Sequence, residues 1–234
     1  MKKSIISILA ILLMTTTAFA GKDKTTLKEK IDRAEKISYY LDMRPITHKP
    51  KKASTGKMCK KFTEKTVFPL TFEAEASNMI TLFSKEMGIN SIVAEDMKNV
   101  PIKTFSGKSM YDYSKGGRKE GDLVIVLNFS GTYNAHKGNN SSPDADWNTT
   151  TLKATLTILE VISGGRTKVL KTGDIAFVNA SMVESKTCAD YAFFTTNFPI
   201  ESYKDDFKKS YQQKLTKFTG KIIKKHNKVI SKRK

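Results

Sequence analysis

DLVIVLNFSGTY (residues 122–133), TLKATLTILEVI (151–162) and TKVLKTGDIAFVNASM (167–182) are the three stretches on which the fold turns. In the second of them Leu152, Ala154, Leu156 and Ile158 alternate with polar and β-branched residues. That period of two is the mark of a strand with one buried face and one wet face. Gly164-Gly165 stands between the second and third stretches, and such a pair favours the tight turn of an antiparallel hairpin. Further strand is expected over 191–195, ending before the break at Pro199.

Helical spacing flanks this β region on both sides. Leu27, Ile31, Ala34, Ile37 and Leu41 recur at three- and four-residue steps, and Thr26 with Glu29 makes a capping box. The spacing predicts a helix over 26–43, stopped by Pro45. Residues 67–87 carry both periods and are expected to form a short strand running into a helix that Gly88 caps, followed by a short strand in SIVAED (91–96). The glycine- and lysine-rich residues 45–61 and 106–121 read as loops in which little packs. Downstream, Ser202 is the expected N-cap of a long helix with the stripe Tyr203, Phe207, Tyr211, Leu215, Phe218 and Ile222, its opposite face nearly all lysine.

The expected fold is therefore α+β, a mainly antiparallel sheet with N-terminal, middle and long C-terminal helices on one face. The expected organisation is a leader over 1–20, a helix and basic linker over 21–61, one α+β domain over 62–220 and a basic tail over 221–234 that reaches beyond the core.

MKKSIISILAILLMTTTAFA (1–20) has two lysines, a short apolar run and a small-residue A-x-A end, the pattern of a secretory signal peptide cleaved after Ala20. Its apolar run is too short to span a bilayer. The expected location is the periplasm or the exterior of a bacterium. In such an oxidising compartment Cys59 and Cys188 read as a disulfide, the competing reading being one buried and one surface thiol. A crosslink closing so long a loop is worth on the order of 5 kcal/mol in the chain-entropy account.

Lys and Arg number 41 against 23 Asp and Glu, a net charge of +18. Such an excess draws polyanions to the surface and says nothing of the fold. The competing reading is a lysine-rich solvated surface with no dedicated partner. The densest cationic segments are Lys49, Lys51, Lys52, Lys57, Lys60 and Lys61, and then Lys221, Lys224 and Lys225 near the end of the last helix. The expected partners are an anionic envelope component or an acidic protein, with nucleic acid less favoured.

Catalytic signatures fail one by one. Ser54-Thr55-Gly56-Lys57 and Lys171-Thr172-Gly173 have the form of the S-x-x-K and K-T-G elements of serine β-lactamases, yet no serine begins an S-x-N triplet. Gly107-Lys108-Ser109 lacks the first glycine of a phosphate loop, where Ile102 stands. Asp144, Asp146 and Asn148 match the start of a calcium loop, but Thr149 and Thr155 replace its glycine and glutamate. The three histidines, His48, His136 and His226, form no metal motif, and no cofactor motif is present. The remaining candidate is the connection over 133–150, expected to be a long loop, where His136, Asp144, Asp146 and Trp147 offer groups for a sugar or peptide. The expected function is non-enzymatic binding through the lysine segments. A hydrolase of an envelope polymer, with its site at 133–150, is the alternative.

Overall fold

The structure is a computed structural model that describes residues 25–44, 46–49, 65–66, 70–105, 108–136, 147–182 and 200–233. Residues 1–20 (expected to be a leader), Cys59, Cys188 and residues 191–195 lie outside the described residues.

The chain is α+β. Helix α1 (Leu27–Arg33) precedes strands β1 (Ile37–Met43), β2 (Ile46–Lys49) and β3 (Lys65–Thr66). Helix α2 (Leu70–Met87), β4 (Val93–Glu95), β5 (Ile102–Phe105) and β6 (Lys108–Tyr111) follow. The long strands β7 (Leu123–His136), β8 (Trp147–Ile162) and β9 (Arg166–Met182) lead to α3 (Lys204–Ile230).

Strand β7 organises the sheet. It pairs antiparallel with β8, which pairs antiparallel with β9, and these are the longest ladders. Its other edge is shared: β1 runs parallel to Leu123–Phe129 and β2 parallel to Thr132–Asn134. Strand β4 adds parallel to β1, and β3 adds antiparallel to β2. The mainly antiparallel sheet expected from the hairpin thus carries a parallel margin.

That margin corrects the expected helix over 26–43. The helix ends at Arg33, and Ala34 is already extended. Ile37, Tyr39, Leu41 and Met43 face the helix-covered core while Tyr40 faces the other side, the alternation of a strand. Residues 37 and 41 fit both periods. The β-branched and aromatic run Ile-Ser-Tyr-Tyr suits a pleated surface better, and seven paired positions along β7 supply the ladder.

Residues 45–61 are also not wholly loop, since β2 buries Ile46 completely. It can do so because Gly131 of β7 has no side chain: a Cβ there would sit 2.9 Å from Ile46 Cγ1 and 3.1 Å from Leu152 Cδ2. Gly131→Ala is expected to cost about 1–3 kcal/mol through overpacking, read as a lower urea midpoint with an unchanged m-value.

Within the expected strand and helix over 67–87, Leu70–Met87 is helix throughout, and residues 67–69 lie outside the described residues. Phe72, Ala76, Met79, Ile80, Phe83 and Met87 all lie on the buried side of α2. Gly88 closes it at φ 67°, with Ile89 N–H donating to Ser84 C=O at 2.9 Å, the cap expected of a left-handed glycine. Helix α3 buries Tyr203, Phe207, Tyr211, Leu215, Phe218 and Ile222 as expected. Its N-cap is Tyr203, not Ser202, because a 3₁₀ turn over Ile200–Tyr203 leads straight into it. It runs unbroken from Lys204 to Ile230, across residue 221.

The three helices cover one sheet face around a single core, at whose centre Phe207 lies 5.5 Å from Phe72 and 5.4 Å from Phe129, ring to ring. Helix α3 also guards the edge of β9 that pairs with no strand among the described residues. Phe177 N–H donates to Ser210 Oγ, and Ser210 O–H donates to Phe177 C=O, each at 2.9 Å. Backbone groups that would otherwise template another strand are thereby occupied.

The opposite face holds a smaller cluster of Tyr40, Val100, Val124, Val126, Leu159 and Val161. Here the expected loop over 106–121 is corrected too. Strands β5 and β6 form a hairpin, and Asp112 and Ser114 are buried. Ser114 Oγ sits 2.6 Å from both Asp112 Oδ1 and Gly165 C=O, tying this segment to the β8–β9 turn.

Candidate functional site

The basic end of α3 does not project from the fold. Its spacing places Lys221, Lys225 and Val229 four residues apart on one side, and that side faces the start of α1 and the middle of β9. Between the three elements lies a cavity of about 570 Å³. Its apolar wall is Leu27, Leu170, Ile222 and Val229, and its cations are Lys171, Lys221, Lys225, Lys232 and Arg233.

Two local features build the wall. Leu170 is the extra residue of a bulge, since Ile158 pairs with Lys171 and Leu159 with Val169, leaving Leu170 without a partner across the ladder. Gly173 lets α3 approach closely, because a Cβ there would stand 2.9 Å from the Phe218 ring. Lys171 Nζ in turn lies 5.4 Å from the centre of that ring. The Lys171-Thr172-Gly173 triplet is accounted for by packing: Thr172 Oγ1 meets Thr157 Oγ1 at 2.9 Å across the ladder.

The cap of α1 closes one side of the cavity. Thr26 N–H donates to Glu29 Oε2 at 2.7 Å, and Glu29 N–H donates to Thr26 Oγ1 at 3.3 Å. From α3, His226 Nδ1 lies 2.8 Å from Thr26 Oγ1, and Arg233, in the turn after the helix, pairs with Glu29. The Arg233 guanidinium, with the Thr26 backbone N–H, holds the Glu29 carboxyl at about 2. A carboxyl lowered by folding stabilises the folded state above its unfolded value near 4.5 and loses that contribution as pH falls toward about 2. Glu29→Gln is therefore expected to melt below the parent at pH 6–7, with the difference shrinking between about pH 4.5 and 2. Melting temperature against pH measures it.

With Glu29 occupied, the cavity cations are left in excess. Lys171, Lys221, Lys225 and Lys232 form no ion pair among the described residues. No family model matches the chain. No curated protein matches it. Among solved structures it is similar to one described as a neuraminyllactose-binding hemagglutinin homolog from Helicobacter pylori, at 9% identity and a TM-score of 0.28, over 80% of this chain and 90% of that one. A TM-score that low carries no argument, and the site stands on its own geometry.

Of the residues singled out in the sequence, Lys221 and Lys225 line the cavity, while Lys224 is exposed on the same helix outside it. Lys51, Lys52, Lys57, Lys60, Lys61, Asp144 and Asp146 lie outside the described residues. Lys49 belongs to β2, and His136 and Trp147 are register partners at the end of the β7–β8 ladder. The expected loop over 133–150 is thus shorter, because the ladder continues through Tyr133–Thr150 to His136–Trp147. No group of three His, Cys, Asp or Glu that can hold a metal is found among the described residues.

Lys171, Leu170, Lys232 and Arg233 were not legible as site residues. Positions 232 and 233 continue the spacing of Lys221 and Lys225, which is the one usable signal. The bulge that presents Leu170 has none.

A second charged constellation lies on the other sheet face. Glu95 of β4 accepts from Ser38 Oγ at 2.8 Å, pairs with Lys36 at 2.9 Å, and accepts from Tyr40 OH and Arg118. Burial pushes the Glu95 carboxyl up, but the bonds from Tyr40, Lys36 and Ser38 and the charge of Arg118 outweigh it and hold it at about 2. A carboxylate so fully engaged has no proton to give at neutral pH. Its chemistry is that of a clasp between β1, β4 and the segment after β6.

Proposed function

We propose that the protein is an exported, non-enzymatic binding or accessory protein of the bacterial envelope that holds an anionic component or acidic partner through its lysine-rich segments. The observation that carries the reading is the set of four lysines around one cavity, with no carboxylate paired to them among the described residues. Positive charge collected at a concave site with no carboxylate in its described lining, Glu29 of the adjoining cap being paired with Arg233, favours an anion there over general solvation. The signal-like residues 1–20 support export, and no helix among the described residues is long and apolar enough to cross a membrane. Lys49, Lys51, Lys52, Lys57, Lys60 and Lys61 are proposed as a second contact for the same kind of partner.

The test is binding to lipopolysaccharide, anionic vesicles, acidic polysaccharide and DNA over a salt series, with Lys221→Glu/Lys225→Glu beside the parent protein. Surface cations near an anionic lipid surface contribute about 1 kcal/mol each, so the double reversal is expected to weaken binding about tenfold or more. Equal weak binding to every polyanion that vanishes with salt, and is unchanged in the variant, would sink the proposal.

A further inference from the structure

We infer that the α1–β9–α3 cavity takes an amphiphile, a single anionic headgroup such as a phosphate or carboxylate carrying an unbranched hydrocarbon chain. This rests on the anion-binding reading above and names the ligand class of that same site.

The segregation of its lining is what points there. Leu27, Leu170, Ile222 and Val229 supply an apolar wall, and the charged groups are lysine and arginine heads on flexible stems. At the start of α1 the lining residue Thr26 is engaged by Glu29 and His226, and Glu29 beside it is engaged by Thr26 and Arg233. A sugar or a nucleotide base needs fixed donors and acceptors or an aromatic platform, and among the described residues the lining holds no aromatic and no amide side chain. A polymeric anion satisfies the cations from outside but leaves the apolar wall wet. Only a molecule with charge at one end and hydrocarbon at the other matches both halves, and a volume of about 570 Å³ lies in the range of small-ligand sites.

The wall is also built at a cost in regularity. Leu170 enters it because the β9 ladder gains an extra residue there, and Val229 stays half-buried in the last turns of α3. Both positions are open enough to accept a polar residue without opening the main core, which makes them usable probes.

The experiment is calorimetric titration of the full protein with inorganic phosphate, butyl phosphate, octyl phosphate and dodecyl phosphate, each kept below its micelle concentration. Vesicles of phosphatidylcholine with and without phosphatidylglycerol form a separate arm. Saturable one-to-one binding is expected, tightening about fourfold for each added CH₂ that reaches the wall. Leu170→Gln and Val229→Gln are expected to flatten that dependence on chain length while leaving inorganic phosphate binding unchanged. Lys221→Glu/Lys225→Glu is expected to weaken every member of the series. Thermal melts of each variant without ligand confirm that it folds.

Phosphate binding with no dependence on chain length would overturn this inference and leave the anion reading intact. Chain-length dependence that survives both wall variants would overturn the location. Binding to phosphatidylglycerol vesicles alone, with no monomer bound, would overturn it in favour of a surface contact. No binding to any phosphate, polyanion or vesicle would overturn both readings together.

Discussion

Phe207→Ala is expected to lower the unfolding free energy by about 3–5 kcal/mol, a large share of the 5–15 kcal/mol typical of a domain. The ring is completely buried and stands between Phe72 of α2 and Phe129 of β7. Those neighbours belong to a helix and to the central strand, so neither can move in to fill the space without dragging a whole element. The residual cavity therefore stays open and the cost lies toward the upper part of the large-to-small range. Phe207→Leu, which keeps most of the volume, is expected to retain most of the stability. Urea unfolding with a common m-value separates the two, and a loss below about 1 kcal/mol for the alanine variant would show that α3 does not pack on this sheet.

Arg118→Met is expected to cost about 2–3 kcal/mol at neutral pH. The side chain is 2% exposed, and it donates to Glu95, Tyr40 OH and Lys115 C=O while its guanidinium stacks 5.3 Å from the Tyr40 ring centre. Removing one member of a buried pair strands the other, which commonly costs 3–5 kcal/mol; Glu95, at 20% exposed, recovers part of that from water. The pH dependence supplies the check. In the parent, Glu95 is held at about 2, so its contribution is present above its ordinary value near 4.5 and is lost as pH falls through about 2. The gap between parent and variant should then be widest above pH 5 and narrow in stronger acid. A gap independent of pH would mean that Arg118 acts through packing alone.

The β region was most legible in β8, where residues 151–158 alternate between buried and partly exposed and the two faces of the sheet have distinct environments. Leu152, Ala154, Leu156 and Ile158 could be placed on the buried side from spacing alone. The aromatic stripe of α3 was equally plain. What failed was local ambiguity settled by distant partners. Ile37 and Leu41 satisfy helix and strand spacing alike, and only the ladder to β7 decides between them. Arg118 sits among glycines and lysines that look solvated, and its burial follows from Glu95 and Tyr40, residues far away in sequence. The cavity was half legible: Lys221 and Lys225 share a helix face, but the strand bulge and the helix cap opposite them are tertiary events.

The clasp between the two ends of the described chain bears on how the protein is made. Thr26 and Glu29, at the first helix, are tied by residues 226 and 233, and the aromatic and aliphatic side chains that α3 lays on the sheet come after every described strand it covers. During synthesis the sheet emerges with its broad apolar face bare and its β9 edge unguarded by Ser210. Contacts of such long sequence separation form slowly, and exposed edges and apolar faces invite aggregation while they wait. The nascent chain therefore cannot reach its final fold until the residues of α3 are free to dock.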